Sequence, residues 1–378
     1  MAAQGNGDAE VPETHVLAVA SHVTAGYVGN TMATFCMQAL GCEVSAIHTV
    51  NFSNHTAYKT FKGRKTPPEE IAELYTGLKN ARLDDFDMLL SGYCPSAGVI
   101  EEVGKIGRDA KLRGNTKPGS FFWILDPVMG DNGRIYVAEE CVPAYKGLLK
   151  DADLILPNQF EAELLSDVKI RDFGSLVQAV EKLHQEYTLP HVLITSVRLP
   201  PTAVSTPALE EEKSGNTGAK LSIVGSTATS EGKPRLFRIT VPALPIFFSG
   251  TGDMFAALLV ARLRQAVQTA GVSNKPSWQS PDDVAGPDLP LAKATEMVLA
   301  SMHAVLKDTE RHYQGVAEGM EGERELNEGK GEEAEREREM GRHLRLTRAA
   351  EVRVVRNVGA LRSPPGLGRF RAEGVEGE

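Results

Sequence analysis

HVLAVASHVTAGYVGNTMATFCMQALGCEVSAIHTV, residues 15–50, is the stretch on which the fold turns. Residues 15–21 are an apolar run of strand length that ends on a polar residue. Val28, Met32, Phe35 and Ala39 then recur at the spacing of one helix face. Gly41 reads as the helix stop, and EVSAIHTV (43–50) as a second strand. Strand, helix and strand in that order predict parallel strands joined by a crossover. A parallel sheet gathers the carboxyl ends of its strands at one edge, where open α/β sheets bind ligands.

The alternation continues outward from there. Residues 67–80 read as a helix with Pro67 and Pro68 at its start and Ile71, Leu74 and Leu78 on one face. FDMLLSGY (86–93), FFWILDP (121–127), DLILPNQ (153–159) and HVLITS (191–196) suit strands buried on both faces. Helices are expected over 159–166 and 173–187, from about Thr251 onward, and over 291–307. LSIVGS (221–226) and LFRIT (236–240) read as a hairpin or as edge strands. Residues 202–220 and 272–290 have loop composition. Residues 316–341 are low-complexity and charged, a disordered segment or a solvated helix. RAAEVRVVRNV (348–358) reads as a short terminal strand. The fold class is therefore α/β, built on parallel strands.

Bulk composition narrows the function. The chain has 378 residues, a net charge of -9 and 42% hydrophobic residues, an ordinary globular profile. Its mildly acidic balance points to small-molecule partners, with no nucleic acid and no membrane. Cys36, Cys42, Cys94 and Cys141 form no CxxC pair, which suits free thiols in a reducing compartment. MAAQGNGDAEVPETH lacks the basic start and apolar core of a signal peptide, and runs such as 254–261 are too short to span a membrane. The expectation is a cytoplasmic protein, with the nucleus as an alternative.

Four segments carry chemistry. In SGTGDMFAALLVARL (249–263), Gly250, Thr251 and Gly252 form a turn whose amides, with the helix end, can hold a phosphate. Asp253 would stand beside the acceptor, placed to take a hydroxyl proton. The plainer reading is a capped helix after a glycine loop. In LPNQFEAELL (156–165), Asn158 and Glu161 face the same way and suit a hydrated magnesium on nucleotide phosphates. They also suit a capping box, and the two roles are compatible. In ILDPVMGDNGRIY (124–136), Asp126 ends a buried strand and the following residues suit a mobile flap, or a plain surface loop. In SHVTAGYVGN (21–30) and FSNHTAY (52–58), Ser21 and Thr56 could hydrogen-bond a polar heterocycle, with Phe52 and His55 lining its pocket. Each of these four is also readable as a turn or packing residue.

Taken in order, SHVTAGYVGN, NFSNHTAY, SGY, LDPVMGD, LPNQFEAELL, ITS and GTGDMFAA resemble the pyridoxal kinases of the ribokinase-like superfamily, over roughly residues 15–310. The insert lengths and the late RLTRAAEVRVVRNV look fungal. The resemblance implies a three-layer α/β/α fold around a central, mostly parallel sheet, ATP-dependent phosphorylation of the 5′-hydroxymethyl group of a vitamin B6 vitamer, and a homodimer. It implies Asp253 as catalytic base and Gly250, Thr251 and Gly252 as anion hole. It implies Asp126, Asp131, Tyr136, Asn158, Glu161, Thr195 and Ser196 as nucleotide-, phosphate- or metal-facing, with Asp126, Asn158 and Glu161 nearest the metal. Ser21, Thr56 and Tyr93 match positions against the pyridine ring. The cofactor is ATP with Mg²⁺, or with Zn²⁺. Potassium as a monovalent cation is in doubt, because Leu156 stands where many relatives carry a threonine. The chain then divides into a disordered leader (1–13), a kinase domain (14–312), a charged insert (313–345) and a C-terminal segment (346–378). Rival readings are a hydroxymethylpyrimidine or sugar kinase, and a catalytically silent vitamer binder. A dinucleotide-dependent oxidoreductase lacks its GxGxxG turn.

Overall fold

The structure, a computed structural model, describes residues 10–114, 116–131, 133–198, 220–324 and 332–375. In chain order the first strands are β1 (His15–Val23), β2 (Glu43–Phe52), β3 (Gly63–Lys65), β4 (Met88–Ser91), β5 (Phe122–Leu125) and the short hairpin β6 (Gly130–Asp131) and β7 (Arg134–Ile135). They are followed by β8 (Leu154–Ile155), β9 (His191–Val197), β10 (Lys220–Ala228), β11 (Pro234–Pro242) and β12 (Glu373–Gly374). Ten of these form one sheet in the order β12-β11-β10-β9-β8-β5-β4-β1-β2-β3. Pairing is parallel from β2 through β1, β4, β5 and β8 to β9, and antiparallel at both flanks. The parallel block fixes one edge at which Ser21, Phe52, Tyr93, Asp126, Asn158 and Thr195 all stand near strand ends.

Period-two burial splits the strands between two cores. Val16, Ala18, Met88, Leu90, Phe122 and Ile124 face one side, and Leu17, Val19, Leu89, Trp123 and Leu125 the other. The first core is covered by α1 (Gly29–Ala39), by α7 (Thr251–Thr269), whose Met254 to Ala261 are all buried, and by α8 (Pro290–Arg324). The second is covered by α2 (Pro68–Asn80), α3 (Ala97–Gly114), α4 (Cys141–Leu148), α5 (Gln159–Ser166) and α6 (Phe173–Tyr187). This is the three-layer α/β/α fold read from the sequence.

Several expectations change. The helix expected over 291–307 continues to Arg324, and α9 (Glu332–Ala349) follows it, so the described parts of the charged stretch are helical. Residues 348–358 are not a strand. They leave α9, turn through Val355–Asn357 and enter α10 (Val358–Arg362), while the terminal strand is β12, beside β11. Val352 and Val354 are buried and the intervening Arg353 bonds Asp308 of α8 at 2.9 Å. Docking on a helix thus produces the alternation that reads as a strand. The loop expected over 272–290 carries Trp278, whose ring stacks on Phe122 at 4.1 Å. The calls on residues 1–9 and 202–219 lie outside the described residues. Among the described residues, no helix is long and apolar enough to cross a membrane.

Two buried histidines join α6 to the β9–β10 region. His184 meets the Leu189 carbonyl at 2.6 Å and the Ser226 hydroxyl at 2.8 Å. His191 meets Thr227 at 2.8 Å and the Ser277 carbonyl at 2.7 Å. Burial pushes both imidazoles down to about 4. Their folded values lie below the unfolded value of about 6.5, so the stability tied to the neutral rings is present above that pH and is lost as pH falls toward 4. Each contributes up to about 1.4 kcal/mol per pH unit in that window. Urea denaturation between pH 7 and pH 4.5 should show this loss. A His184→Gln, His191→Gln double variant should show a shallower slope over the same range.

Candidate active site

Asp253 sits in the first turn of α7, where the chain arrives through Gly250 in the left-handed conformation, φ 81°. A Cβ on Gly250 would lie 2.2 Å from the Tyr27 carbonyl oxygen. Gly29 is also left-handed, φ 52°, and a Cβ there would lie 2.1 Å from the Ser21 carbonyl oxygen. The 21–30 segment lies directly on the 250–253 turn at Tyr27, and the Gly29 amide favours the ionised form of the Asp253 carboxylate. Burial nonetheless raises the proton affinity of Asp253. No side chain caps the start of α7, which leaves its leading amides for a ligand. Thr251 is partly buried and Gly252 is exposed at this turn.

Asn158 and Glu161 form the capping box that opens α5. The Asn158 Oδ1 accepts the Glu161 amide at 2.9 Å, and Glu161 Oε2 accepts the Asn158 amide at 2.9 Å. The pair also reaches outward. Glu161 Oε1 accepts the Met129 and Gly130 amides at 2.8 and 3.3 Å, and Asn158 Nδ2 donates to the Gly130 carbonyl at 2.8 Å. Two of the four side-chain polar atoms thus cap the helix, and the other two anchor the base of the 127–136 flap, which contains β6 and β7. Asp131 lies in β6, and Tyr136, just beyond β7, is 60% exposed.

The carboxylates sense one another. Asp126 is raised well above its usual range, by burial first, then by Glu161 and Asp253. Burial pushes Glu161 up to about 7, against its three backbone donors. Partial desolvation and then Glu161, Asp126, Asp131 and Asp253 all push the Tyr136 phenol up. Such an arrangement fits a cation. The only three ligand atoms within 4.8 Å of one another among the described His, Cys, Asp and Glu residues belong to Glu13, His15 and Glu43, which lie at the amino ends of β1 and β2. Asp126 and Glu161 therefore suit an ion reached partly through water, as Mg²⁺ prefers. Leu156 is buried and offers no side-chain oxygen, so a monovalent cation does not fit at that position.

Thr195 and Ser196 lie at the end of β9, where the Thr195 amide bonds the Pro157 carbonyl at 3.0 Å beside Asn158. Tyr93 follows β4, and its carbonyl accepts the Thr49 hydroxyl at 2.7 Å. Phe52 closes β2 with its ring 4.9 Å from that of Phe61, and Thr56 opens a short helical turn. His55 is buried and bonds Glu351 through Nε2 at 2.7 Å. Two residues carried no assignment in the sequence. Gly29 lay inside a quoted motif, where its positive φ has no sequence signal beyond glycine itself. Glu351 lay in a segment read as a strand.

A glycine turn with its leading amides uncapped, Asp253 in the first helical turn and the 21–30 segment packed against it suit a phosphotransferase that acts on an alcohol group. Residues 110–224 match the family model described as phosphomethylpyrimidine kinase. The pyridoxal kinase of Arabidopsis thaliana is 34% identical over 300 residues, 79% of this chain and 83% of the relative. The human pyridoxal kinase is 37% identical over 259 residues, 66% of this chain and 77% of the relative. The solved structure of the Leishmania donovani pyridoxal kinase in complex with ADP and pyridoxamine is 29% identical, with a TM-score of 0.69 over 95% of this chain and 98% of that one. The chain belongs to the pyridoxal kinase family.

Asp126 is desolvated among like charges, so neutralising it should relieve the unliganded protein. The variant Asp126→Asn is expected to be more stable than the parent protein and to lose turnover. Thermal denaturation of the ligand-free variant beside its steady-state rate checks both signs.

Proposed function

We propose that this kinase transfers the γ-phosphoryl group of ATP to the 5′-hydroxymethyl group of pyridoxal, pyridoxine or pyridoxamine, with Asp253 as general base. The observation that carries the reading is the close approach of the Tyr27 carbonyl to Gly250, which brings the proposed phosphate-holding turn against the proposed vitamer loop. The vitamer packs between the 21–30 and 52–58 loops, with Ser21, Thr56 and Tyr93 toward its ring. ATP lies along the strand ends past Asp126, Asn158, Thr195 and Ser196. Asp253 takes the hydroxyl proton as the oxygen bonds to the γ-phosphorus, and ADP leaves with the electron pair of the broken P–O bond. The raised proton affinity of Asp253 makes it the better base. The amides of residues 250–252 receive the charge on the transferring group. The flap, hinged on Glu161, covers the phosphates and keeps water from competing as acceptor.

Mg²⁺, bound with the nucleotide, neutralises phosphate charge and aligns the γ-phosphate for attack. Asp126, Asn158 and Glu161 would hold it. Their oxygen-rich chemistry, without histidine or cysteine, favours Mg²⁺ over Zn²⁺. The homodimer is proposed on the family resemblance alone. A cytoplasmic location is proposed on four free, buried cysteines, which suit a reducing compartment.

Asp253→Asn should lower turnover by about 10²–10⁴-fold, the scale of a general base, with thermal stability kept. ATP consumption should occur with pyridoxal and not with hydroxymethylpyrimidine or ribose. Near-normal turnover in the variant would remove Asp253 from the base role. Transfer only to another acceptor would move the substrate and keep the chemistry.

A further inference from the structure

Glu351 follows α9 and is a carboxylate taken out of water, with its side chain only 16% exposed. A buried charge needs partners, and Glu351 finds them far away in sequence. Its Oε1 accepts from His55 Nε2 at 2.7 Å and from the Tyr58 hydroxyl at 3.0 Å. Its Oε2 accepts from the Tyr27 amide at 3.2 Å. One carboxylate therefore bridges the tips of the 24–28 and 53–58 loops. Backbone bonds join the roots of these loops, Thr24 to Phe52 at 2.8 Å and Ala25 to Ser53 at 3.0 Å, and Glu351 takes over beyond Ala25.

The surroundings are shaped for this carboxylate. Gly26 has φ 103°, and a Cβ there would lie 2.8 Å from Glu351 Oε1. Burial alone would raise the proton affinity of Glu351, but His55, the Tyr27 amide and Tyr58 outweigh it and keep the group ionised. Helix α9 adds a second grip, since His343 Nε2 donates to the Ala57 carbonyl at 2.9 Å. Past Tyr27 the chain meets Gly250 through its carbonyl and Asp253 through the Gly29 amide. Whatever sets the position of Tyr27 thus sets the acceptor side of the site, while the Asn158–Glu161 side is built from other contacts.

We propose that Glu351 is a positioning residue for the acceptor, and that the C-terminal segment acts as a strap holding the two vitamer loops at their working separation. This rests on the reading above that the 21–30 and 52–58 loops take the vitamer. The strap acts on where the alcohol sits and leaves the nucleotide side untouched.

The test compares Glu351→Gln, Glu351→Asp and Ser21→Ala in the full chain, with steady-state KM for pyridoxal and for ATP and the thermal midpoint of each. Glu351→Gln is expected to raise the pyridoxal KM about ten-fold and to leave the ATP KM within about two-fold. Glu351→Asp, which restores the charge, should recover part of that loss. A matching rise in both KM values, or a fall in thermal midpoint with no split between them, would reduce Glu351 to a structural role. If Ser21→Ala raises the pyridoxal KM and Glu351→Gln does not, the loops bind the vitamer and the strap is wrong. If neither variant moves the pyridoxal KM, the loop reading fails and takes the strap with it.

Discussion

The loop after β1 lies against the turn before α7 because Gly250 carries no side chain: a Cβ there would stand 2.2 Å from the Tyr27 carbonyl oxygen, while Gly29 lets its own loop close on Ser21. Gly250 and Gly29 both occupy left-handed conformations, which cost other residues roughly 1–2 kcal/mol each. The steric demand is stronger still, since either Cβ would stand inside contact distance of a backbone oxygen. Packed in this way, the loop after β1 keeps the Gly29 amide on the side of Asp253, where it offsets part of the acid's desolvation. The phosphate-holding turn and the proposed acceptor loop are then one rigid unit, as transfer between two substrates requires. The parallel sheet makes the meeting feasible, because it brings β1, β4, β5, β8 and β9 to the same edge.

Electrostatics then divides the site into a side that wants a proton and a side that wants a cation. Asp253 is desolvated and has the Gly29 amide to offset it, a state suited to accepting a proton. Asp126 lies among like charges that a nucleotide-bound ion would relieve. The repulsion costs the unliganded protein stability, a common property of sites organised for charged ligands. Glu161 shows why a sequence cannot choose between capping and chemistry here. Its two oxygens cap α5 and hold the Met129–Gly130 turn at once, so the local structural role is also what aims the flap.

How legible all this was depended on range. Elements with their own periodicity stood out, such as α5 and α6, which match 159–166 and 173–187. So did the order of strands, because nearly all-apolar runs bounded by polar residues have few other uses in a chain of this size. Helix α3 was passed over although Val99, Ile100, Val103, Ile106 and Ala110 give it a clear buried face. The 348–358 segment misled for a physical reason: alternating burial reports a partner on one side, and the partner here is α8. The bond from His55 to Glu351 was not legible, because the motif that holds His55 is local while its partner is not. Site residues near strand ends could be read from position alone. Contacts such as Gly29–Asp253 and Glu351–Tyr27 depend on where separate loops arrive, which no spacing encodes.

The C-terminal return is built into the main core, and this makes a strap from it physically reasonable. Val352, Val354, Leu361 and Phe370 are all buried in the core that α1, α7 and α8 cover. At roughly 1.5–3 kcal/mol for each buried side chain, these four are worth an appreciable part of the roughly 5–15 kcal/mol that holds a domain folded. Buried Arg262, on α7, bonds the Leu361 and Arg362 carbonyls at 2.5 and 2.9 Å, so the helix that carries Asp253 is tied to α10. Arg353 and Asn357 both bond Asp308 of α8, at 2.9 and 3.0 Å. Glu351 therefore hangs between a long exposed helix and a firmly anchored segment. A carboxylate held from behind in this way can fix two loops, because displacing it would pull Val352 and Val354 out of the core.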